Sequence, residues 1–158
     1  MTQNMTREQR IEAVIEALQD KPGALLPILH GIQDELGYIP PEAVPTIAAR
    51  VNLSRAEVHG VISFYHYFRQ TPPGRHIIYL CRSESCQAMH CEALETHAKQ
   101  RLGIDYHQTS TDHTFTLEPV YCLGQCACSP AIMVDQAVYG RVTPEYFDEI
   151  VETVGGQT

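Results

Sequence analysis

The fold class read from the sequence is α+β: a small helical bundle over residues 1–73, followed by an α/β half with a small mixed sheet over residues 74–158. Three observations lead there. Apolar residues recur at helical spacing through the first 68 positions, Thr71-Pro-Pro-Gly74 breaks that pattern, and strand-like runs separated by a helical stretch follow it.

The helices are marked in order. Thr6-Arg-Glu-Gln9 has capping-box form, and Ile11, Val14, Ile15 and Leu18 follow at helical spacing before Lys21-Pro22-Gly23 ends the run. Leu25, Leu29, Ile32 and Leu36 define a second helix, with Pro27 in its first turn and Gly37 as its C-terminal cap. Val44, Ile47, Ala48 and Val51 give a short third helix, closed by Asn52. Ser54-Arg-Ala-Glu57 is a second capping box, and Val58, Val61, Ile62 and Tyr65 carry a fourth helix into the aromatic run Phe64-Tyr-His-Tyr-Phe68. Phe64, Tyr65, Tyr67 and Phe68 are expected in core and inter-domain packing, because aromatics supply much of a small core's buried area.

After the break, His76-Ile-Ile-Tyr-Leu80 reads as a strand, and a helix is expected from about Cys86 to Leu102. A polar turn region then runs through Asp112 and His113, and Phe115 to Tyr121 is a second strand in strand-crossover-strand order. Ala131-Ile-Met-Val134 and Ala137-Val-Tyr139 form a hairpin around Asp135-Gln136, and Thr143-Pro-Glu-Tyr146 opens a final helix to about Val154.

Composition bounds the function. The chain has 158 residues, 44% hydrophobic and 19% charged, which suffices for a buried core. No run is apolar for long enough to span a bilayer, and the N-terminal stretch lacks an apolar signal region, so a cytoplasmic protein without membrane insertion is expected. The same features argue against pairing the six cysteines as disulfides. A net charge of −8 opposes nonspecific attraction to nucleic acid. Residues 47–58 have a helix-turn-helix look, which would suit an iron-sulfur-sensing DNA-binding regulator. The would-be reading helix offers Arg55 and then Glu57, His59 and aromatics, a poor set for base edges and phosphates, so no nucleic-acid partner is expected.

The chemistry lies in two short cysteine pairs, Cys81-Arg-Ser-Glu-Ser-Cys86 and Cys122-Leu-Gly-Gln-Cys126, each placed where a strand ends and a loop begins. Four thiolates gathered at one sheet edge suit either zinc or an iron-sulfur cluster. Zinc knuckles usually have two residues between paired sulfurs, whereas the spacings here are four and three, and C-x4-C is a ferredoxin-type loop. Spacing by itself leaves both metals open. None of the six cysteines has His two residues after it, as a Rieske centre's C-x-H units would, and no C-x-x-C pair suits a thioredoxin-type redox enzyme.

The chain also carries Gly37-Tyr-Ile-Pro40, Val61-Ile-Ser-Phe-Tyr65, Phe115-Thr-Leu-Glu118 and Ser129-Pro130 in order with the two cysteine pairs. In these motifs it resembles, over nearly its full length, the thioredoxin-like 2Fe-2S subunit of NADH dehydrogenases, NAD-reducing hydrogenases and NAD-dependent formate dehydrogenases. His66-Tyr-Phe-Arg69, Pro72-Pro-Gly-Arg-His76 and Ser85-Cys-Gln-Ala-Met89 are most similar to the gamma subunit of molybdenum-dependent formate dehydrogenase. The resemblance implies a thioredoxin-like second domain with one 2Fe-2S cluster on Cys81, Cys86, Cys122 and Cys126, and an electron-transfer role without catalysis of its own. It further implies two partners, an FMN/NADH-binding subunit and a larger iron-sulfur/molybdopterin catalytic subunit. FMN, NAD and molybdopterin would reside on those partners, since no Gly-rich nucleotide loop is present here. His90 and His113 stand where the family commonly has glycine, which puts local turn geometry in question. Cys91 is expected to be a buried small apolar residue, and Cys128, two residues past Cys126, is the competing ligand candidate.

Overall fold

The structure is a computed structural model that describes residues 5–156. It divides into two compact units, one ending at Pro72 and the other beginning at Pro73.

The first unit is helical: α1 (Arg7–Leu18), α2 (Leu25–Leu36), α3 (Val44–Arg50) and α4 (Arg55–Phe64), with a 3-10 turn at Pro41–Ala43 leading into α3. Both capping boxes form. The Thr6 hydroxyl accepts from the Gln9 N–H and the Ser54 hydroxyl from the Glu57 N–H, while each N3 side chain accepts in return from the cap backbone N–H. The apolar stripes meet in a core built on Ile15, Ile28, Leu29, Ile32, Ile47 and Val58, all fully buried.

The aromatic run differs from expectation. Helix α4 stops at Phe64, and Tyr65 is extended, so the following residues no longer share a helical face. Of this run, Phe68 enters the core; Phe64 is 73% exposed, with Tyr65 and Tyr67 also exposed. The cause is a backbone anchor. The buried Gln33 side chain donates to the Tyr67 carbonyl at 2.8 Å and accepts from the Arg69 N–H at 2.7 Å, holding the segment so that Phe68 points inward.

The second unit is a five-stranded mixed sheet of β1 (His76–Cys81), β2 (Gln108–Thr109), β3 (Phe115–Val120), β4 (Ala131–Val134) and β5 (Ala137–Gly140), in the order β2-β3-β1-β4-β5. Strands β1 and β3 are parallel, and every other pairing is antiparallel. The crossover between β1 and β3 holds α5 (Glu84–Ala88) and α6 (Cys91–Leu102), and α7 (Pro144–Gly155) ends the unit. Leu94 and Ala98 of α6 join Phe147, Ile150 and Val151 of α7 and the apolar strand residues in one core. His97 and Arg101 both bond Asp148, which fastens α6 to α7.

Two elements correct the sequence reading. The expected single helix from Cys86 to Leu102 is two helices broken at Met89–His90, because His90 takes a left-handed φ of 62°. Histidine there and at His113 (φ 54°) adopts the backbone that glycine would supply, at a cost that short polar side chains tolerate better than branched ones. Strand β2 lies in the stretch expected as a polar turn. Its two residues carry no alternation of their own, and it exists through pairing with Thr116 and Leu117.

The turn between β2 and β3 is fixed by Asp112, whose carboxylate accepts from the Ser110 hydroxyl, the Thr114 hydroxyl and the Thr114 N–H. These bonds hold its pKa down to about 2. A depressed folded-state pKa contributes stability that is present above about 3.9 and is lost as pH falls through about 2. Asp112→Asn is therefore expected to lower the melting temperature at pH 7 and to match the unmodified chain as the pH approaches 2. Gly74 sets the entry to the sheet: a Cβ there would stand 2.9 Å from the backbone N and C of Phe115. Gly74→Ala should destabilise the protein by about 1–3 kcal/mol in denaturant titration, since backbone must shift to admit the methyl.

Candidate metal centre

The end of the parallel β1–β3 pair positions the thiols. The register sets Cys81, the last residue of β1, opposite Val120, the last of β3, so that Cys122 follows two residues past the end of the neighbouring strand. The Arg82 N–H donates to the Val120 carbonyl at 2.8 Å and prolongs the pairing into the loop. From there the chain turns through Ser83 into α5, which carries Cys86, while the second loop runs from Cys122 into a short 3-10 turn at Cys126–Cys128.

All four predicted cysteines come together at this edge. Cys81 and Cys86 are each 2% exposed and share a small apolar cluster with Cys91, Ala131, Val120 and Leu123. Cys122 and Cys126 lie on the exposed side, their sulfurs 3.9 Å apart. The sulfurs thus form two pairs, one buried and one open. Among the described residues, no three His, Cys, Asp or Glu side chains converge as around a single metal ion.

Hydrogen-bond donors reach Cys81 and Cys122. Burial would raise the Cys81 pKa, but the Ser83 hydroxyl and N–H, the Cys86 thiol and the Leu123 N–H bring it down to about 7. The Gly124 N–H points at the Cys122 sulfur at 3.3 Å, with Gly124 at φ 74°. Cys122 itself takes φ 108°, an uncommon conformation for a residue with a Cβ, of the kind that functional loops hold at a cost of about 1–3 kcal/mol. The Cys126 thiol is pushed up, first by its hydrogen bond to Cys122 and then by the charge of that group.

Two further cysteines adjoin the set. Cys91 is 1% exposed at the start of α6, and its thiol is pushed up by burial and then by Cys86. It has the buried, small apolar character expected of it. Cys128 is half-buried and packs against Gly140, where a Cβ would come within 2.7 Å of the Cys128 Cβ. Its N–H is engaged with the Gln125 carbonyl at 2.8 Å.

The sequence reading missed three hydroxyls. Ser83 Oγ lies 3.2 Å from Cys81 Sγ, Ser129 Oγ lies 3.5 Å from Cys86 Sγ, and Ser85 Oγ lies 2.9 Å from both Ser129 Oγ and the Cys126 carbonyl. Ser85 and Ser129 thereby join the two cysteine loops. The signal available was the pair of serines inside Cys81-Arg-Ser-Glu-Ser-Cys86, but nothing in that spacing says which atoms they meet.

Comparison with known proteins bears on this geometry. The family profile of the thioredoxin-like [2Fe-2S] ferredoxin matches residues 11–155. The chain belongs to this family. Among relatives of this ferredoxin, HndA, a subunit of the NADP-reducing hydrogenase of Solidesulfovibrio fructosivorans, is 34% identical over 137 residues, covering 87% of this chain and 80% of HndA. A subunit of the NADH-quinone oxidoreductase of Pseudomonas aeruginosa is 34% identical over 147 residues, covering 93% of this chain and 89% of its own length. Among solved structures, an NAD+-reducing [NiFe]-hydrogenase in the H2-reduced state superposes with a TM-score of 0.71 at 25% identity, over 85% of this chain. The ferredoxin chain spans 22% of that hydrogenase chain.

The family's cofactor is a [2Fe-2S] cluster, and the residues present fit it. A cluster of this type takes four thiolates, two on each iron, and two sulfur pairs with N–H and O–H donors at Cys81 and Cys122 match that requirement. Cys81, Cys86, Cys122 and Cys126 would hold it. Purified anaerobically, the protein is then expected to contain about two iron and two acid-labile sulfide per chain. Replacing any one of the four by Ser should abolish or strongly perturb the visible and paramagnetic spectra, while Cys91→Ser and Cys128→Ser leave them nearly unchanged. Loss of the cluster in Cys128→Ser with retention in Cys126→Ser would reverse the assignment at that loop.

Proposed function

We propose that this chain is an electron-transfer subunit of a multisubunit NAD(P)-linked oxidoreductase, holding one 2Fe-2S cluster on Cys81, Cys86, Cys122 and Cys126. The observation that carries this is the pairing of four thiols at the end of β1 and β3 in a chain matched along residues 11–155 by the ferredoxin family. Such a cluster exchanges one electron at a time, whereas a nicotinamide delivers two as hydride. A flavin on a partner subunit bridges that mismatch, and the cluster takes up or stores single electrons from it.

The surface supports docking. Cys122 and Cys126 are exposed, Tyr121 beside them is 71% exposed, and Met89 at the end of α5 is 54% exposed. Large apolar side chains at the open side of a redox centre suit close approach of a partner, since they exclude water from the contact. In the helical unit, Phe64, Tyr65 and Tyr67 form a second exposed aromatic group.

For the parent complex, the relatives favour a respiratory NADH:quinone oxidoreductase or an NAD(P)-reducing hydrogenase, with an FMN/NADH-binding subunit as the docking partner. The formate dehydrogenase reading, with its molybdopterin subunit, rests on the short motifs at residues 66–69, 72–76 and 85–89. The isolated holoprotein should be reduced by dithionite and should neither oxidise NADH nor reduce NAD with formate. Tagged protein purified from its own cells with its partners should then support NADH-driven quinone reduction or H2-driven NAD(P) reduction. Formate-driven NAD reduction by that preparation would instead select the formate dehydrogenase reading, and NADH-driven dye reduction by the flavin-free single chain would refute the relay.

A further inference from the structure

The two buried sulfurs differ from the two exposed ones in what solvates them. Cys122 and Cys126 face solvent, where water can reach them. Cys81 and Cys86, each 2% exposed, depend on protein donors for theirs. The structure provides each with a serine hydroxyl, Ser83 at 3.2 Å from Cys81 and Ser129 at 3.5 Å from Cys86.

The Ser83 hydroxyl lacks the ordinary role of its position. Ser83 is the N-cap residue of α5, where a serine side chain usually accepts from an N–H in the first turn, yet it makes no such bond. Its hydroxyl goes to the Cys81 sulfur instead. Ser129 is 7% exposed, and its hydroxyl meets the Cys86 sulfur, the Cys126 carbonyl at 3.1 Å and the Ser85 hydroxyl at 2.9 Å.

The protons in this group can be counted. With Cys86 as a thiol, three protons are available, and the thiol donates to Ser129, which passes the direction on to Ser85 and the Cys126 carbonyl. A ligating thiolate has lost its proton and can only accept. Ser85 already reaches the Cys126 carbonyl at 2.9 Å, so it satisfies that oxygen and leaves the Ser129 hydroxyl free to turn towards Cys86. The Ser129 hydroxyl alone turns, from Ser85 to the sulfur, without any heavy atom moving, and the Ser85–Ser129 contact gives up its proton. At Cys81 the change is simpler, since the Ser83 hydroxyl must donate once the sulfur is ionised.

Building on the assignment of Cys81 and Cys86 as ligands, we propose that Ser83 and Ser129 are positioning residues that raise the reduction potential of the cluster through O–H donation to its two buried sulfurs. Reduction adds one electron and no proton, so the sulfurs become more negative and each O–H···S bond strengthens. The reduced form gains more than the oxidised form, and hydrogen bonds to cluster sulfurs act on potential in this direction. In a site closed to water the effect is not replaced by solvent when the hydroxyl is removed.

The test is an electron-paramagnetic-resonance potentiometric titration with dithionite on the purified holoprotein, with iron and sulfide measured on every sample. Ser83→Ala and Ser129→Ala should each keep the cluster and shift the midpoint to lower potential. Charge-assisted hydrogen bonds support a change of about tenfold in the reduced-to-oxidised ratio at fixed potential, equivalent to about 59 mV for one electron. Ser129→Thr, which retains the hydroxyl, should recover most of the shift, and Ser63→Ala, in α4 of the other unit, should titrate with the unmodified protein. Alanine variants with full iron and unchanged midpoints would overturn the inference and leave the ligand assignment standing. Loss of the cluster in either alanine variant would make that hydroxyl a requirement for assembly and overturn its role in setting potential. An unmodified protein that assembles no cluster would strike instead at the assignment beneath.

Discussion

The parallel register of β1 on β3 is the constraint on which the site depends. Facing Cys81 with Val120 places the ends of two strands side by side, and the two cysteine loops begin from those ends. A slip by one residue would turn Cys81 to the other face of the sheet, because side chains alternate along a strand. Parallel neighbours need a crossover, and here the crossover is itself part of the site: α5 carries Cys86 back beside Cys81 before α6 returns along the sheet. Ile78, Leu80, Leu117 and Ile132, all fully buried, hold that register through the core.

Burial then separates the four thiols by role. The inner pair sits in an apolar pocket with hydroxyl and amide donors, while the outer pair lies on a loop open to solvent, with Gly124 allowing the backbone to turn its N–H towards Cys122. A cluster held half in and half out has one side protected from water and one side near the surface. Electron transfer to a docked partner needs the second feature and chemical persistence needs the first. The exposed Tyr121 adjoins Cys122 on this open side, and exposed apolar area of that kind has a use in an assembled complex.

Much of the fold was legible because its elements carry local signals. Thr6 and Ser54 announce helices through side-chain chemistry that operates within three residues, and the structure forms both boxes. The hairpin at Asp135-Gln136 and the N-cap at Thr143 are equally local. The failures occur mostly where distant partners decide. Strand β2 owes its existence to β3, the exposure of Phe64, Tyr65 and Tyr67 follows from the grip of Gln33 on residues 67–69, and the break at His90 comes from a left-handed residue inside a helical pattern. In the first two cases the periodicity of the residues themselves carries no trace of the partner, while at His90 the break is local.

The candidate site divides the same way. Sequence by itself supplied the two cysteine pairs as the candidate set, because cysteine chemistry and the spacing of two loops are properties of the chain, and the ordered motifs beside them mark the family. Only the tertiary structure decided which sulfurs are buried, that Cys91 lies in the inner pocket while Cys128 packs against Gly140, that Ser83 and Ser129 face the sulfurs, and that Ser85 and Ser129 join the loops. The physical reason is range: spacing constrains atoms a few residues apart, whereas the hydrogen bonds from Ser85 to Ser129 and from Cys86 to Ser129 span more than forty residues. They require the sheet to hold the two loops together.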